Sequence, residues 1–351
     1  MNKYQRLFKE LQKEKEFSPS HHDDHIMLID GLNTFIRAFG ATPSTNEDGD
    51  HIGGITGFLF SIGKVVRDFK PTRCIIVFDG RGGSKRRREI YKDYKANRAN
   101  KTRLRRHDHQ NYGTIEDEQE AMRFQFSRLV SYLDNLPVTF ISIDGIEADD
   151  TIAYIADMYK EKSKKITIVS TDRDFYQMVD DTVSVWSPIK KKMYDTEMVM
   201  EEFGVHPANY VVYRTFTGDK SDNIPGVNGF GPATILKTVP ELRESTEFTV
   251  DDLINKCTTF LTENKKYQKI LDHQDIIEKN YQLMNLRLFN ISATHKSNIR
   301  NIIEGPIPTL NRAEFQKLFM QDKMWTTMKN LPDWLTNTWL SLNAFAQQSN
   351  K

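Results

Sequence analysis

Short, unbroken runs of apolar and β-branched residues recur through the first half of the chain, and most of them end at an acidic residue. The runs occupy residues 26–29, 74–78, 138–143, 166–171 and 183–186. Apolar runs of this length, without alternating polar positions, predict strands that are buried on both faces of a sheet. Asp30, Asp79 and Asp172 directly follow three of the runs, and Asp144 and Glu147 follow a fourth.

Amphipathic stretches with helical period lie between these runs, at residues 54–69, 119–136 and 150–162. Strands that alternate with helices predict βαβ units and a mostly parallel sheet flanked by helices, an α/β fold. In such sheets the functional crevice lies beyond the carboxyl ends of the strands, which is where the acids fall.

From about residue 195 the strand signal fades and helical periodicity dominates. Helices are predicted over residues 196–203, 207–216, 232–239, 250–262 and 266–284. The segment 312–344 contains Trp325, Trp334 and Trp339, and aromatic residues at helical spacing favour a packed helical end. A surface that docks a partner protein is the alternative interpretation of this segment.

Composition excludes several classes of protein. Hydrophobic residues make up 38% of the 351 residues, mean hydropathy is −0.59, and no run approaches the length of a membrane span. The N-terminus has no apolar core of a signal peptide. Cys74 and Cys257 are too few for a disulfide scaffold and indicate a reducing compartment, so a cytoplasmic location is expected.

The net charge of +1 conceals an uneven distribution along the chain. Between Arg81 and Arg106 there are twelve basic residues and two acids, so this tract carries +10 and the rest of the chain −9. Tyr91 and Tyr94 lie among the cations. Basic charge with interleaved aromatic rings suits phosphate neutralisation and base stacking on a single strand, whereas a solvated loop is the alternative.

Acidic residues form three clusters besides Asp30 and Asp79. Acids often precede a helix because they cap its N-terminus, and this accounts for some of the acids before the helical stretch at residue 150. Capping does not explain why three of the four residues 147–150 are acidic. Carboxylates brought so close need a cation, and oxygen-only ligands favour Mg²⁺ or Mn²⁺. Two such ions would clamp a phosphodiester during hydrolysis. The clustered acids are Glu147, Asp149, Asp150, Asp172, Asp174, Asp219 and Asp222.

A histidine cluster near the N-terminus also has two interpretations. His21, His22 and His25 stand beside Asp23 and Asp24. These residues would suit a metal, but a polar surface tract is the better interpretation, since nothing else in the segment points to a ligand site.

A glycine-rich segment after Asp222 predicts a hairpin between two helices. Gly226, Gly229 and Gly231 would allow positive φ angles and a close approach of the backbone to a ligand. Pro232 suits the first turn of the next helix, whose free N–H groups attract anions, and Lys237 lies one turn further on. Such a hairpin would grip the phosphate backbone of a duplex without reading its sequence.

Five motifs in this order resemble the 5′-nuclease (flap endonuclease) superfamily. The family includes the 5′→3′ exonuclease domain of bacterial DNA polymerase I and bacteriophage 5′ nucleases such as the T-even phage ribonuclease H. The resemblance spans residues 28–236, and more loosely extends to about 288. The motifs are LIDGLNTFIRAF, IVFDGRGGSKRRREIYKDYKANR, IEADDTIA, IVSTDRDFYQMV and TGDKSDNIPGVNGFGPATIL.

The resemblance implies a PIN-like catalytic domain over residues 26–194, with a helical arch at about 81–112. It further implies a mainly α-helical, helix-hairpin-helix (H3TH) DNA-binding subdomain over residues 195–290. A polar extension (1–25) and a helical tail (291–351) fall outside the resemblance.

The resemblance also assigns the acids to two metal ions. Asp79, Glu147, Asp149 and Asp172 would mainly hold the first ion. Asp150, Asp174, Asp219 and Asp222 would mainly hold the second, with Asp172 near both. Asp30 would act through a water molecule or from behind the direct ligands.

In the same family the basic tract forms the arch through which a 5′ single strand passes. The match to its YKxNR pattern would place Lys95 and Arg98 over the scissile phosphate, and the glycine hairpin in the family also holds a monovalent cation such as K⁺. One departure from the family is Ile36, which stands where many members have a base-stacking aromatic residue; the contact would then be hydrophobic only, or Phe35 or Phe39 would supply it. Further DNA contacts are expected at Arg37, Arg86, Arg87, Arg88, Lys92, Tyr94, Lys220, Gly226, Gly229, Gly231, Thr234 and Lys237.

The expected function is Mg²⁺-dependent 5′→3′ exonuclease and flap endonuclease activity that removes RNA primers and 5′ flaps during DNA replication. Its substrates would be branched or flapped DNA and RNA–DNA duplex, and the protein would act as a monomer. A non-catalytic DNA-binding paralogue and a PIN-type ribonuclease remain alternatives. A single-strand DNA-binding protein or a sliding clamp is a candidate partner for the tail. The absence of a polymerase region favours a phage protein acting in the bacterial cytoplasm.

Overall fold

A six-stranded sheet forms the centre of the protein in the computed structural model, which describes residues 23–98, 112–288 and 291–350. The strand order is β3-β2-β1-β4-β5-β6; all neighbours are parallel except β6, which runs antiparallel to β5. The predicted mostly parallel sheet is confirmed. The strands are β1 (His25–Asp30), β2 (Arg73–Asp79), β3 (Thr139–Ile143), β4 (Lys165–Val169), β5 (Val183–Ser187) and β6 (Lys192–Tyr194).

Helices surround the sheet and make up most of the chain after β6. Those preceding β6 are α1 (Gly31–Ala41), α2 (Gly53–Phe69), α3 (Lys85–Ile90), α4 (Ile115–Leu133) and α5 (Ala148–Tyr159). Those following it are α6 (Thr196–Phe203), α7 (Tyr210–Thr217), α8 (Pro232–Thr238), α9 (Val250–Thr259), α10 (Lys265–Leu271), α11 (Gln274–Met284), α12 (Ala293–Ile303), α13 (Arg312–Gln321) and α14 (Leu331–Ser349).

Several elements differ from the sequence-based expectation. The apolar pattern did not predict α1, which has glycine at two positions and begins because Asp30 caps it. The predicted helix over 266–284 is two helices that break at Asp272 and His273. Strand β6 was also missed, because three residues with an exposed lysine first carry little apolar signal.

Alternate residues of β1 face opposite sides of the sheet, and each side has its own apolar core. Ile26 and Leu28 belong to a core that continues through α5 into the helices after β6. Met27 and Ile29 belong to the other core, which also contains residues of α2, α4, α13 and α14. Trp339 of α14 is fully buried in this second core, so α13 and α14 cover one face of the sheet.

The described end of the N-terminal histidine cluster, residues 23–25, is packed against the sheet. His25 begins β1, and its Nε2 atom lies 3.0 Å from Thr167 Oγ1. Asp23 is buried and pairs with Arg73 at 3.0 Å. His21, His22 and the rest of the extension before residue 23 lie outside the described residues, as do residues 99–111 of the expected arch.

Two simpler expectations concern cysteines and membranes. Cys74 and Cys257 are buried free thiols. Among the described residues, no helix combines the length and apolar character that crossing a membrane requires.

Candidate active site

A cavity of about 1070 Å³ lies between the carboxyl edge of the sheet and the glycine hairpin. Parallel strands bring their carboxyl ends to one edge, so acids that follow different strands converge there. Five of the nine expected carboxylates line this cavity: Asp30, Asp79, Asp149, Asp172 and Asp219. The other four, Glu147, Asp150, Asp174 and Asp222, each have a cationic side chain within 4.0 Å.

Hydrogen bonds to neighbouring elements orient the acids at the strand ends. Asp30 caps α1 by accepting from the Asn33 amide at 3.1 Å, and it also accepts from Ser170 Oγ at 3.0 Å. Asp79 accepts from the amide of Ala148, the first residue of α5, at 2.7 Å. This contact joins the end of β2 to the helix that carries Asp149.

Arg87 neutralises the two acids at the start of α5 that do not line the cavity. Its guanidinium is 2% exposed and makes two hydrogen bonds to Asp150, of 2.8 and 3.1 Å. It also contacts Glu147 and donates from Nε to the Leu283 carbonyl at 2.8 Å. Although burial opposes charge, Arg87 and Lys95 hold the pKa of Glu147 below its ordinary value.

Lys95 lies among acids from two different segments, the start of α5 and the turn before the hairpin. Its Nζ atom donates to Glu147 Oε1 at 2.6 Å, lies 4.0 Å from Asp222 Oδ2, and is one of the cavity-lining groups. Burial disfavours its ammonium charge, but Asp149, Glu147 and Asp222 together raise the pKa of Lys95 above its ordinary value. Lys95 therefore stays charged beside the cavity.

Arg214, in α7, holds a second pair of carboxylates. Its Nε donates to Asp174 Oδ1 at 2.8 Å and its Nη2 to Asp219 Oδ2 at 2.5 Å. Burial opposes the charged form of Asp219, but Arg214 lowers the pKa of that carboxyl below its ordinary value. Sequence reasoning missed Arg214; its only signal was a basic residue five positions before Asp219.

Burial raises the pKa of three other cavity acids, Asp30, Asp149 and Asp172. Burial raises the pKa of Asp30 to about 6. Burial, and then repulsion by Asp174, raises the pKa of Asp172 to about 7. The pKa of Asp149 is also raised, by burial and by Asp172. Buried like charges of this kind are relieved by a bound cation.

The donor set fits a hard divalent cation, but the ligands are not fully assembled. Within the described part of the chain, no three acidic, histidine or cysteine side chains stand close enough together to form a metal site as they lie. Arg87, Lys95 and Arg214 instead pair with carboxylates of the expected ligand set. Oxygen donors of this kind are the ligands that hard divalent cations prefer.

The expected DNA contacts fall into two groups. Arg88, Lys92, Lys220 and Lys237 are exposed, Arg86 and Thr234 are half-buried, and Arg37 lines the cavity. Arg87 and Tyr94 are each 2% exposed, and the Tyr94 hydroxyl donates to Glu147 Oε2 at 3.1 Å. Because both residues are buried, the expectation that Arg87 and Tyr94 contact DNA was wrong. The Arg98 side chain lies outside the described residues.

The hairpin between α7 and α8 uses its glycines for different reasons. Only Gly229 of the three has a positive φ, of 79°. A Cβ on Gly226 would lie 2.4 Å from the Phe216 carbonyl oxygen, so close packing of the backbone requires glycine there. Gly231 has open space around it and precedes Pro232 at the start of α8. Of the two roles expected for these glycines, a positive φ is therefore found at Gly229 alone of the three.

The aromatic residues beside Ile36 do not reach the cavity. Phe35 is 1% exposed and Phe39 is fully buried in the core of the tail face. Ile36 and Leu32 line the cavity instead. A base-stacking contact from Phe35 or Phe39 is therefore a wrong expectation, while a contact at Ile36 that is hydrophobic only stays a prediction. The cavity wall at α1 combines these aliphatic side chains with Asn33 and Arg37.

Comparison with known proteins gives consistent results. Residues 25–204 match the family profile described as the 5′-3′ exonuclease, N-terminal resolvase-like domain. The 5′-3′ exonuclease of Bacillus subtilis is 31% identical over 230 residues, 63% of this chain and 71% of that protein. The 5′-3′ exonuclease of Aquifex aeolicus is 27% identical over 262 residues, 74% of this chain and 81% of that protein.

Longer relatives and solved structures complete the comparison. DNA polymerase I of Rhizobium leguminosarum is 30% identical over 273 residues, which is 75% of this chain but only 24% of the polymerase. The bacteriophage T5 flap endonuclease, solved in complex with DNA and metal ions, has the same fold. Its TM-score is 0.59 with 19% identity, covering 85% of this chain and 97% of the phage protein.

Proposed function

Because the chain belongs to the 5′-3′ exonuclease family, whose named members are nucleases, we propose that it hydrolyses phosphodiester bonds at 5′ ends and 5′ flaps. The observation that supports this proposal is the single cavity lined by five carboxylates, Lys95 and the glycine hairpin. Acids gathered in one crevice, next to a cation and a backbone-lined hairpin, suit a phosphodiester better than a neutral substrate.

Divalent cations, Mg²⁺ or Mn²⁺, are proposed to bind at the cavity-lining acids. Asp79, Asp149 and Asp172 lie on the side of the sheet, and Asp219 lies on the side of the hairpin. Two such ions, when bound, would activate water and stabilise the leaving oxygen. Asp30 would support this group from behind, since it is 6% exposed and already hydrogen-bonded to Ser170.

The chain's own cations would complete the charge balance. Lys95 is positioned at the cavity wall, and its ammonium would stabilise negative charge developing on the phosphate. To do so it would exchange part of its contact with Glu147 for the phosphate oxygen. Arg98, three residues further on, would act on the same group. The hairpin around Gly229, with K⁺ as a further candidate ligand, would hold the duplex phosphate backbone.

The substrates that we propose are flapped or nicked DNA and RNA–DNA duplex, with primer removal in replication as the cellular role. The test is cleavage of a 5′-labelled flap duplex in Mg²⁺, with EDTA as the control and with the 5′ strand made of DNA or of RNA. Asp172→Asn should abolish cleavage and retain flap binding.

Each alternative has its own signature in the same assay. Flap binding without cleavage at any Mg²⁺ concentration would identify a non-catalytic DNA-binding paralogue. Full activity on single-stranded RNA, with no preference for the flap, would identify a PIN-type ribonuclease.

A further inference from the structure

Two turns from distant parts of the chain are joined by reciprocal hydrogen bonds beside Lys95. We name this contact the clip; it consists of residues 93–97 at the base of the basic tract and residues 219–224 before the hairpin. The Lys95 amide donates to the Asp222 carbonyl at 2.9 Å. Asn97 Nδ2 donates to the Lys220 carbonyl at 3.1 Å, and Asn223 Nδ2 donates to the Asp93 carbonyl at 3.0 Å.

Both turns of the clip contain a residue with left-handed backbone. Lys95 has a φ of 56° and Asn223 a φ of 62°. Asparagine adopts this conformation more readily than most residues, whereas for lysine it is uncommon and needs support from its surroundings. The hydrogen bond between the Lys95 amide and the partner turn supplies that support.

The partner turn is itself well ordered by local contacts. Asp219 and Ile224 form a bridge with backbone hydrogen bonds of 2.9 and 2.7 Å. Beneath the clip, Tyr94 and Ile224 share a small apolar cluster with Leu283 and Met284 of α11. The clip therefore rests on the helical part of the protein rather than on the sheet.

We infer that Asn97 and Asn223 are positioning residues that hold Lys95 at the cavity and couple the base of the basic tract to the duplex-gripping hairpin. This inference rests on the proposed function. Asn223 lies three residues before Gly226, so one short segment both fixes Lys95 and leads into the hairpin. Lys95 acts on the phosphate, and the two asparagines act only through Lys95.

The variants that test the inference are Asn97→Ala and Asn223→Gly. Glycine keeps the positive φ of residue 223 without strain and removes only the side-chain donor. Asn301→Ala is the matched control, because Asn301 is an exposed asparagine of α12 away from the clip.

Single-turnover flap cleavage and flap affinity are measured first. Each clip variant should lower the cleavage rate roughly ten- to a hundredfold, as small misplacements of catalytic groups do, and leave the flap Kd unchanged. The control should match wild type. A clip variant that cleaves at the wild-type rate, or that loses rate only in proportion to affinity, overturns the inference.

Hydrogen exchange of the Lys95 amide provides a readout that does not depend on activity. It should be roughly three- to tenfold faster in both variants, because that amide bonds to the partner turn, while the thermal unfolding midpoint stays close to wild type. Unchanged exchange at Lys95 would refute the clip even if the wild-type protein cleaves flaps. Conversely, faster exchange in a protein without nuclease activity would support the clip and reject the proposed function.

Discussion

Arg87 binds Asp150 through two parallel hydrogen bonds, and both side chains are at least nine-tenths buried. The sequence places Arg87 in the middle of an Arg-Arg-Arg run within a basic tract, where all three residues look alike. In α3 successive residues point about 100° apart, so one of the three faces inward while Arg88 remains exposed. Arg87 is thus part of the protein interior rather than of a nucleic-acid surface.

We expect Arg87→Leu to lower the free energy of unfolding by about 3–5 kcal/mol, because it leaves Asp150 buried without its cation and leaves Glu147 with Lys95 alone. Arg88→Leu, the exposed neighbour, should change the free energy of unfolding by less than about 0.5 kcal/mol. Urea unfolding followed by circular dichroism measures both. If Arg87→Leu lowered the free energy of unfolding by no more than Arg88→Leu does, Arg87 would not stabilise the fold.

Lys95→Ala should lower kcat by roughly a hundredfold, since it removes a positive charge aimed at the developing negative charge on the phosphate. The Kd for a flap duplex should change far less. Rapid-quench cleavage and fluorescence anisotropy give the two quantities separately. Equal losses in kcat and affinity would make Lys95 a general binding residue, and no loss in either would remove it from the site.

Arg214→Leu should make the protein depend on divalent metal for stability. Without Arg214, Asp174 and Asp219 repel each other with no internal cation, so the variant should unfold at lower temperature than wild type in EDTA. Excess Mg²⁺ should raise its unfolding midpoint more than that of wild type. Thermal unfolding with Mg²⁺ or EDTA measures this difference, and equal Mg²⁺ shifts in the two proteins would contradict it.

Gly229→Ala and Gly231→Ala should behave differently although they are two residues apart. Residue 229 has a φ of 79°, so alanine there should cost about 1–2 kcal/mol in the hairpin; the atom nearest to a Cβ is Lys269 Nζ, at the end of a flexible side chain that can move away. Gly231 has a negative φ and open space around it. We expect weaker binding to nicked duplex only for Gly229→Ala, measured by anisotropy; similar affinities for the two variants would argue against a binding role for the hairpin tip.

The stability of the fold should also depend on pH through His25. Burial, with a smaller contribution from Lys165, lowers the pKa of His25 from 6.5 to about 4. Since the unfolded chain binds this proton more tightly, the contribution of His25 to the free energy of unfolding decreases as pH falls from about 6.5 to about 4. His25→Gln should flatten that part of the pH profile in urea unfolding. Parallel profiles for variant and wild type would exclude His25 as the cause.

The acids that line the cavity were predictable because strand ends determine their position. Asp30 and Asp79 each end a strand that is visible as an apolar run, and a parallel sheet places both at one edge. The direction in which each acid faces was not predictable. It depends on groups from other elements, such as Ser170 at Asp30 and Arg214 at Asp219.

Contacts made by backbone turns were equally hidden in the sequence. The left-handed conformation of Lys95 has no sequence signal, because lysine is not a residue that favours it. Its support comes from residues 220–223, more than a hundred positions away in the chain. Local periodicity cannot report such a pairing, whereas the glycine at position 229 was recognisable from its residue type alone.

The tail helices determine what an optical experiment on this protein will detect. All four tryptophans, Trp186, Trp325, Trp334 and Trp339, belong to the same apolar core on the face of the sheet that α13 and α14 cover. Intrinsic fluorescence therefore reports the environment of that face, because none of the four tryptophans lies beside Lys95 or the hairpin. A ligand-induced rearrangement confined to the cavity would leave tryptophan emission unchanged, so its detection needs a label placed on the other side of the sheet.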